Sequence, residues 1–305
     1  MFNKKYSVTQ SKYWKYKNDN NNFNLIIFFK EIIENTFDIK IVKKKNFNNS
    51  FENTSYPKSK KIINMRNKEL SIIILKFLSH LKVKSNKNKI LKLIKLHDNF
   101  FYGQKKLKNN YGGIGYNNSL FIYIFYNHLK LNLILESGVW KGFTTLLFEQ
   151  YPKKIKKISF DINFENLQYQ SQKTEYVEYD IEKYNFEKNR NFSKTLAFFD
   201  DHISQYDRLL FANKKKIKYL IFDDDVNLSA VHSDGWPSIP TISMLVNKNN
   251  IKKFSWRSTN KYASANFSNK KFKNIIKNYF YIRPPNISNI TGYYQQTPMG
   301  FLIRK

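Results

Sequence analysis

Ile134–Thr145 reads ILESGVWKGFTT, a short apolar run followed by an acid, two glycines and a pair of threonines. Glycine at 138 and 142 permits a sharp turn and close approach of backbone to a ligand. A helix beginning near Thr144 would present free N–H groups to that turn. The spacing is G-x-x-x-G, not the G-x-G-x-x-G of dinucleotide sites. Alone, the stretch fits a structural turn as well as a ligand loop, so its meaning depends on its neighbours.

Those neighbours alternate between strand and helix patterns. Leu133–Glu136 is a short apolar run and Thr144–Gln150 is helix-like. Lys157–Ile162 (KISFDI) and Glu175–Tyr179 (EYVEY) read as strands, as does Met299–Arg304 (MGFLIR) near the end. Thr195–Phe199 (TLAFF) and Lys218–Phe222 (KYLIF) are nearly all apolar, as strands buried on both faces are, with Tyr206–Asn213 as a crossover helix. Such alternation predicts a doubly wound α/β sheet, with right-handed crossovers placing every strand-to-helix loop on one edge.

An acid ends each strand. Glu136 follows the first, and Asp161 follows the second, a position suited to gripping ribose hydroxyls. Asp180 follows the third and could accept from an adenine amino group. The fourth ends in Phe199-Asp200-Asp201-His202 and the fifth in Phe222-Asp223-Asp224-Asp225. Five carboxylates beside one imidazole repel strongly unless a cation or shared protons neutralise them, and such oxygen-rich clusters suit Mg²⁺. Each acid can equally serve as a helix cap or a solvated turn residue.

The ordered motifs resemble the class I S-adenosylmethionine-dependent methyltransferases. The resemblance is strongest to small-molecule enzymes whose fourth strand ends in a FIDGDH-like segment and whose fifth ends in DD, here FFDDH (Phe198–His202) and IFDDD (Ile221–Asp225). An upstream N-x-G-G, Asn110–Gly113, and ESGVWKG, Glu136–Gly142, resemble an uncharacterised subgroup of that family. The resemblance spans about Asn99 to Lys305. It implies a Rossmann-like, mostly parallel sheet with a C-terminal antiparallel strand over residues 99–305, preceded by a helical, partly low-complexity extension over residues 1–98.

It further implies that Gly113, Glu136, Gly138, Gly142, Asp161, Asp180 and Asp200 contact S-adenosylmethionine. Asp200, Asp223 and Asp224 would hold Mg²⁺; by its own chemistry His202 is the best candidate for the catalytic base, or else a buried histidine that holds the loop together by hydrogen bonds. Asp201 stands where the family has a small residue, which leaves open which aspartate is the ligand. The implied reaction is O-methylation of a small polar metabolite or sugar, with self-association into a homo-oligomer left open. His232 and Trp236, in SAVHSDGWPSIPT (Ser229–Thr241), would border the acceptor.

Composition limits the alternatives. The chain has no cysteine, which excludes disulfides, thiolate nucleophiles and cysteine-held metal clusters. Its longest apolar runs fall short of the ~18 residues of a membrane span, and the polar start, MFNKKYSVTQ, predicts a cytoplasmic protein. Net charge is +30, which invites a polyanion- or nucleic-acid-binding reading as the alternative function. Yet only Arg66, Arg190, Arg208, Arg257, Arg283 and Arg304 are arginine, and the dominant Lys, Asn, Ile, Phe and Tyr can all be encoded by A and T alone. Base N-methylation is disfavoured because FFDDH stands where the D/N-P-P-Y/F/W motif would lie.

In the first third, Met1–Asn22 reads as poorly ordered and Lys43–Lys61 as a polar connector. Helical spacing is expected over Asn24–Asn35, Asn67–Leu81 and Lys87–His97.

Overall fold

Thr195–Phe199 (β4) is buried along its whole length, and the rest of the sheet is built around it. The computed structural model describes residues 59–107, 110, 112–227, 238–247, 268–294 and 296–305, with the backbone of 253–258 and 261–266. The expected helix over Asn24–Asn35, the tail Met1–Asn22, most of the connector Lys43–Lys61, and His232 and Trp236 lie outside the described residues.

Beside β4 run β1 (Leu133–Ser137), β2 (Lys156–Phe160), β3 (Glu175–Val177) and β5 (Tyr219–Phe222), all parallel. β9 (Gly300–Arg304) inserts antiparallel between β5 and β8 (Tyr279–Ile282), giving the order β3-β2-β1-β4-β5-β9-β8. This is a Rossmann-like doubly wound sheet with one antiparallel strand. β6 (Lys253–Ser258) and β7 (Lys261–Asn266) form a separate antiparallel hairpin. The strands at 175, 195 and 219 begin within a residue of their sequence-based positions. Val177 ends the third strand two residues earlier than expected, because Asp180 starts a 3₁₀ turn over Ile181–Lys183.

Alternate residues of the strands feed two cores. Ile134, Leu196, Phe198 and Phe301 face α1 (Lys60–His80), α2 (Lys87–Gly103) and α3 (Tyr116–Asn127). The Phe77 ring lies 5.0 Å from Phe121 and 5.1 Å from Phe301, so the N-terminal helices pack directly on the sheet. Residues 116–126 of α3 are buried on every side, which removes the amphipathic period that would reveal a helix in the sequence. Leu135, Ala197, Phe199 and Leu220 face the other core, closed by α5 (Gln205–Lys215) and α7 (Asn269–Ile276). The remaining short helices are α4 (Phe143–Phe148), α6 (Ile242–Asn247) and α8 (Ser288–Thr291).

Candidate active site

The carboxyl edge of the parallel strands concentrates unusual backbone. Trp140, His202 and Asp224 adopt left-handed φ of 49°, 55° and 54°, and Gly138 and Gly142 lie at 88° and 90°. Side chains resist that region, and such conformations gather where a site requires them.

The loop after β1 is the first component. A Cβ on Gly138 would lie 2.2 Å from the Asp200 carbonyl oxygen, so glycine there lets the β1 and β4 loops touch. A Cβ on Gly142 would lie 2.3 Å from the Tyr169 carbonyl oxygen, and the residue caps α4. Asp161 holds this loop to β2: its Oδ2 accepts from Val139 N–H at 2.8 Å and Trp140 N–H at 3.4 Å, and its Oδ1 from Ile162 N–H at 2.7 Å.

Glu136 sits beneath the loop, 1% exposed. Its Oε2 accepts from Thr145 (2.5 Å) and Ser159 (2.6 Å), while Oε1 has no partner. Burial pushes its carboxyl up to about 7, against those two hydroxyl donors. Gly113 closes a turn on the Asn110 carbonyl, and its own carbonyl accepts from Gln296, so it belongs to the rim between α3 and the β8–β9 connection.

The acids after β4 and β5 divide into distinct groups. Asp200, His202 and Asp224 each offer a ligand atom, and the three atoms lie within 4.8 Å of one another. His202 Nε2 is 3.9 Å from Asp200 Oδ1 and 3.6 Å from Asp224 Oδ2, too long for hydrogen bonds but compatible with a shared small cation. Burial raises the Asp200 carboxyl well above its usual range, reinforced by the charges of Asp223 and Asp224. Burial lowers His202, against the opposing pull of Asp224. These three residues line one pocket with Phe199 and Gln205.

Asp223 also lines that pocket but stays out of the cluster of three. Its Oδ1 is buried without a partner, and burial with the adjacent Asp224 charge raises its carboxyl well above the ordinary value.

Three other acids are turned to structural use. Asp201 Oδ2 accepts from Ser137 (2.5 Å) and from Arg208 Nε (2.8 Å). Asp180, expected beside an adenine, places both oxygens on Arg208, at 2.6 and 3.1 Å, and caps the turn through Glu182 N–H. Asp225, fully buried, accepts from Tyr281 (2.5 Å) and Ser243 N–H (2.8 Å), fastening β8 and α6 to the end of β5. Arg208 escaped sequence reasoning because nothing in QYDRLLFANKK marks it as buried. Its side chain is 2% exposed and meets Asp180, Glu182 and Asp201.

No family model and no curated protein matches the chain. Solved structures do. One of CmcI with SAH is 15% identical, covers 34% of this chain and 57% of its own length, and has a TM-score of 0.30. One of CmcI with Mg and SAM is 12% identical, covering 60% of this chain and 68% of that one at a TM-score of 0.33. A provisionally assigned O-methyltransferase from Klebsiella pneumoniae is 13% identical, covering 80% and 99% at a TM-score of 0.40. The chain thus spans little more than half the length of the first of these.

Proposed function

We propose that this protein is an S-adenosylmethionine-dependent methyltransferase that methylates an oxygen of a small polar metabolite, of the sugar-hydroxyl class, with the help of a divalent cation. The observation that carries the reading is the contact of Gly138 with Asp200. It sets the glycine loop after β1 directly against the cluster of Asp200, His202 and Asp224, at the carboxyl edge where doubly wound sheets bind ligands.

The residues present fit both groups. For the cofactor, Asp161 stands at the tip of β2 and Glu136 keeps a buried oxygen without a donor. For the cation, two carboxylates converge, with the His202 imidazole beside them. Asp180, beyond its pair with Arg208, stays partly exposed just after β3.

The bound cofactor would supply a methyl group already activated by its sulfonium, so the protein's task is alignment. Asp161 and the two loop glycines fix the backbone against which the cofactor would lie. Asp200 and Asp224 would hold the cation, which at that place would lower the pKa of an acceptor hydroxyl. His202, kept neutral by its burial, can take up the hydroxyl proton at Nε2.

Calorimetric titration with S-adenosylmethionine, with and without Mg²⁺, tests the reading. Binding to the wild type, weakened in Asp161→Ala, is expected; absence of binding to the wild type would refute the cofactor assignment. Mg²⁺ affinity unchanged in Asp224→Ala would refute the cation site separately.

A further inference from the structure

The strand register brings a row of lysines to the edge of the sheet opposite the site. Lys156 opens β2, Lys194 and Lys218 precede β4 and β5, Lys130 leads into β1, Lys277 into β8, and Lys305 follows β9. Backbone bonds align them: Asn132 N–H to Lys194 O, Lys156 N–H to Asn132 O, Arg304 N–H to Lys218 O, and Lys305 N–H to Asn278 O. Six strands at about 4.8 Å spacing make this row about 24 Å long. Lys214–Lys216, at the carboxyl end of α5, widen it.

All six lysines of the row are exposed except Lys218, which is half-buried. Among the described residues only Lys156 of the six forms an ion pair, with Glu175 at 3.0 Å.

The opposite edge is different. Residues 161–170, 200–205, 223–227, 238–241 and 283–294 contain no lysine, and the loops after β1 and β3 add only Lys141 and Lys183 to that edge. A nucleotide bias explains how much lysine the chain has, but it would scatter lysine over both edges. The placement therefore requires its own explanation.

We propose that this amino-terminal edge of the sheet is a docking face for an anionic lipid bilayer. Three features select that occupant. The charge is carried by lysine, a compact ammonium that attracts headgroup phosphates as a point charge, and not by the arginine forks that read nucleic acid. Among the described residues, the aromatic rings at this face, Tyr219 and Phe280, are half-buried and covered by Lys218 Nζ at 5.6 Å and Lys305 Nζ at 5.2 Å, so they are not free to stack on unpaired bases. The cations also spread in two dimensions, along the strand starts and across to the end of α5, which matches a plane better than a single groove. Docked in this way, the protein would turn the Asp200–His202–Asp224 pocket away from the membrane and toward dissolved acceptors.

Co-sedimentation of the full chain with phosphatidylcholine vesicles, with and without phosphatidylserine, tests this directly. Salt-sensitive binding to the phosphatidylserine-containing vesicles alone is expected. The triple variant Lys194→Glu/Lys218→Glu/Lys277→Glu should weaken it roughly 100-fold or more. A control with the same change of charge on the exposed faces of α1 and α2, Lys68→Glu/Lys76→Glu/Lys92→Glu, should stay near the wild type. Circular dichroism checks that each variant is folded. No binding to anionic vesicles, equal loss in both triple variants, or tighter capture of duplex RNA or DNA than of vesicles would overturn the proposal.

Discussion

Arg208 Nε donates to Asp201 Oδ2 at 2.8 Å and, with the Ser137 hydroxyl, engages one of the two adjacent aspartates that line the pocket. With Asp201 turned toward Arg208 and Ser137, Asp200 is left beside His202 and Asp224. Replacing Arg208 by Met strips a buried cation from three carboxylates. The expected loss is about 3–5 kcal/mol of stability, read by urea denaturation. An unchanged midpoint would show that the network contributes nothing.

Gly138→Ala should fail on two counts. Its φ of 88° disfavours a side chain, and the added Cβ would meet the Asp200 carbonyl at 2.2 Å. A destabilisation above about 1 kcal/mol is expected, together with weaker Mg²⁺ binding as the β4 loop shifts. Thermal melting and metal titration of the same sample separate the two effects.

Glu136 predicts a distinctive pH dependence. Its folded pKa is about 7, above the unfolded value of 4.5, so the folded chain holds the proton more tightly. That contribution is fully present below about pH 4.5 and is lost as pH rises to 7, by up to about 1.4 kcal/mol per pH unit. In Glu136→Gln it vanishes, so the variant should gain on the wild type between pH 5 and 7. Denaturation across that range provides the check.

His97 acts in the opposite direction. Burial and the Arg66 charge push it down to about 3 from 6.5, and its Nε2 pairs with Ser119 at 2.8 Å. The unfolded chain takes up the proton first, so stability is full above pH 6.5 and falls as pH drops toward 3. His97→Gln, which can keep a partner for Ser119, should show a shallower acid limb.

Phe77→Ala removes the ring wedged between Phe121 and Phe301 and should cost about 3–5 kcal/mol. Because that ring joins α1 to β9, we expect residues 60–103 and the sheet to unfold in one transition. Calorimetry resolving two separate transitions would contradict this.

The central strands were legible because burial on both faces leaves runs such as TLAFF with no polar interruption. The acids at their ends were legible for the same reason, as the first charges after each run. What the side chains of those acids do was not legible. Asp200 and Asp201 are chemically identical neighbours, and what distinguishes them is contact with Arg208 and Ser137, on other elements. The pairing of Asp180 with Arg208 was hidden because that partner lies 28 residues away on another element. The helix over Tyr116–Asn127 escaped since it is buried all round, and β8 since YFYI carries no turn signal that sets it apart.

The left-handed residues at the carboxyl edge carry an evolutionary consequence. Trp140, His202 and Asp224 each occupy backbone that glycine would adopt with less strain. Glycine at 202 or 224 in a homologue would ease the backbone but remove a member of the Asp200–His202–Asp224 cluster, so such a copy should bind a cation there more weakly.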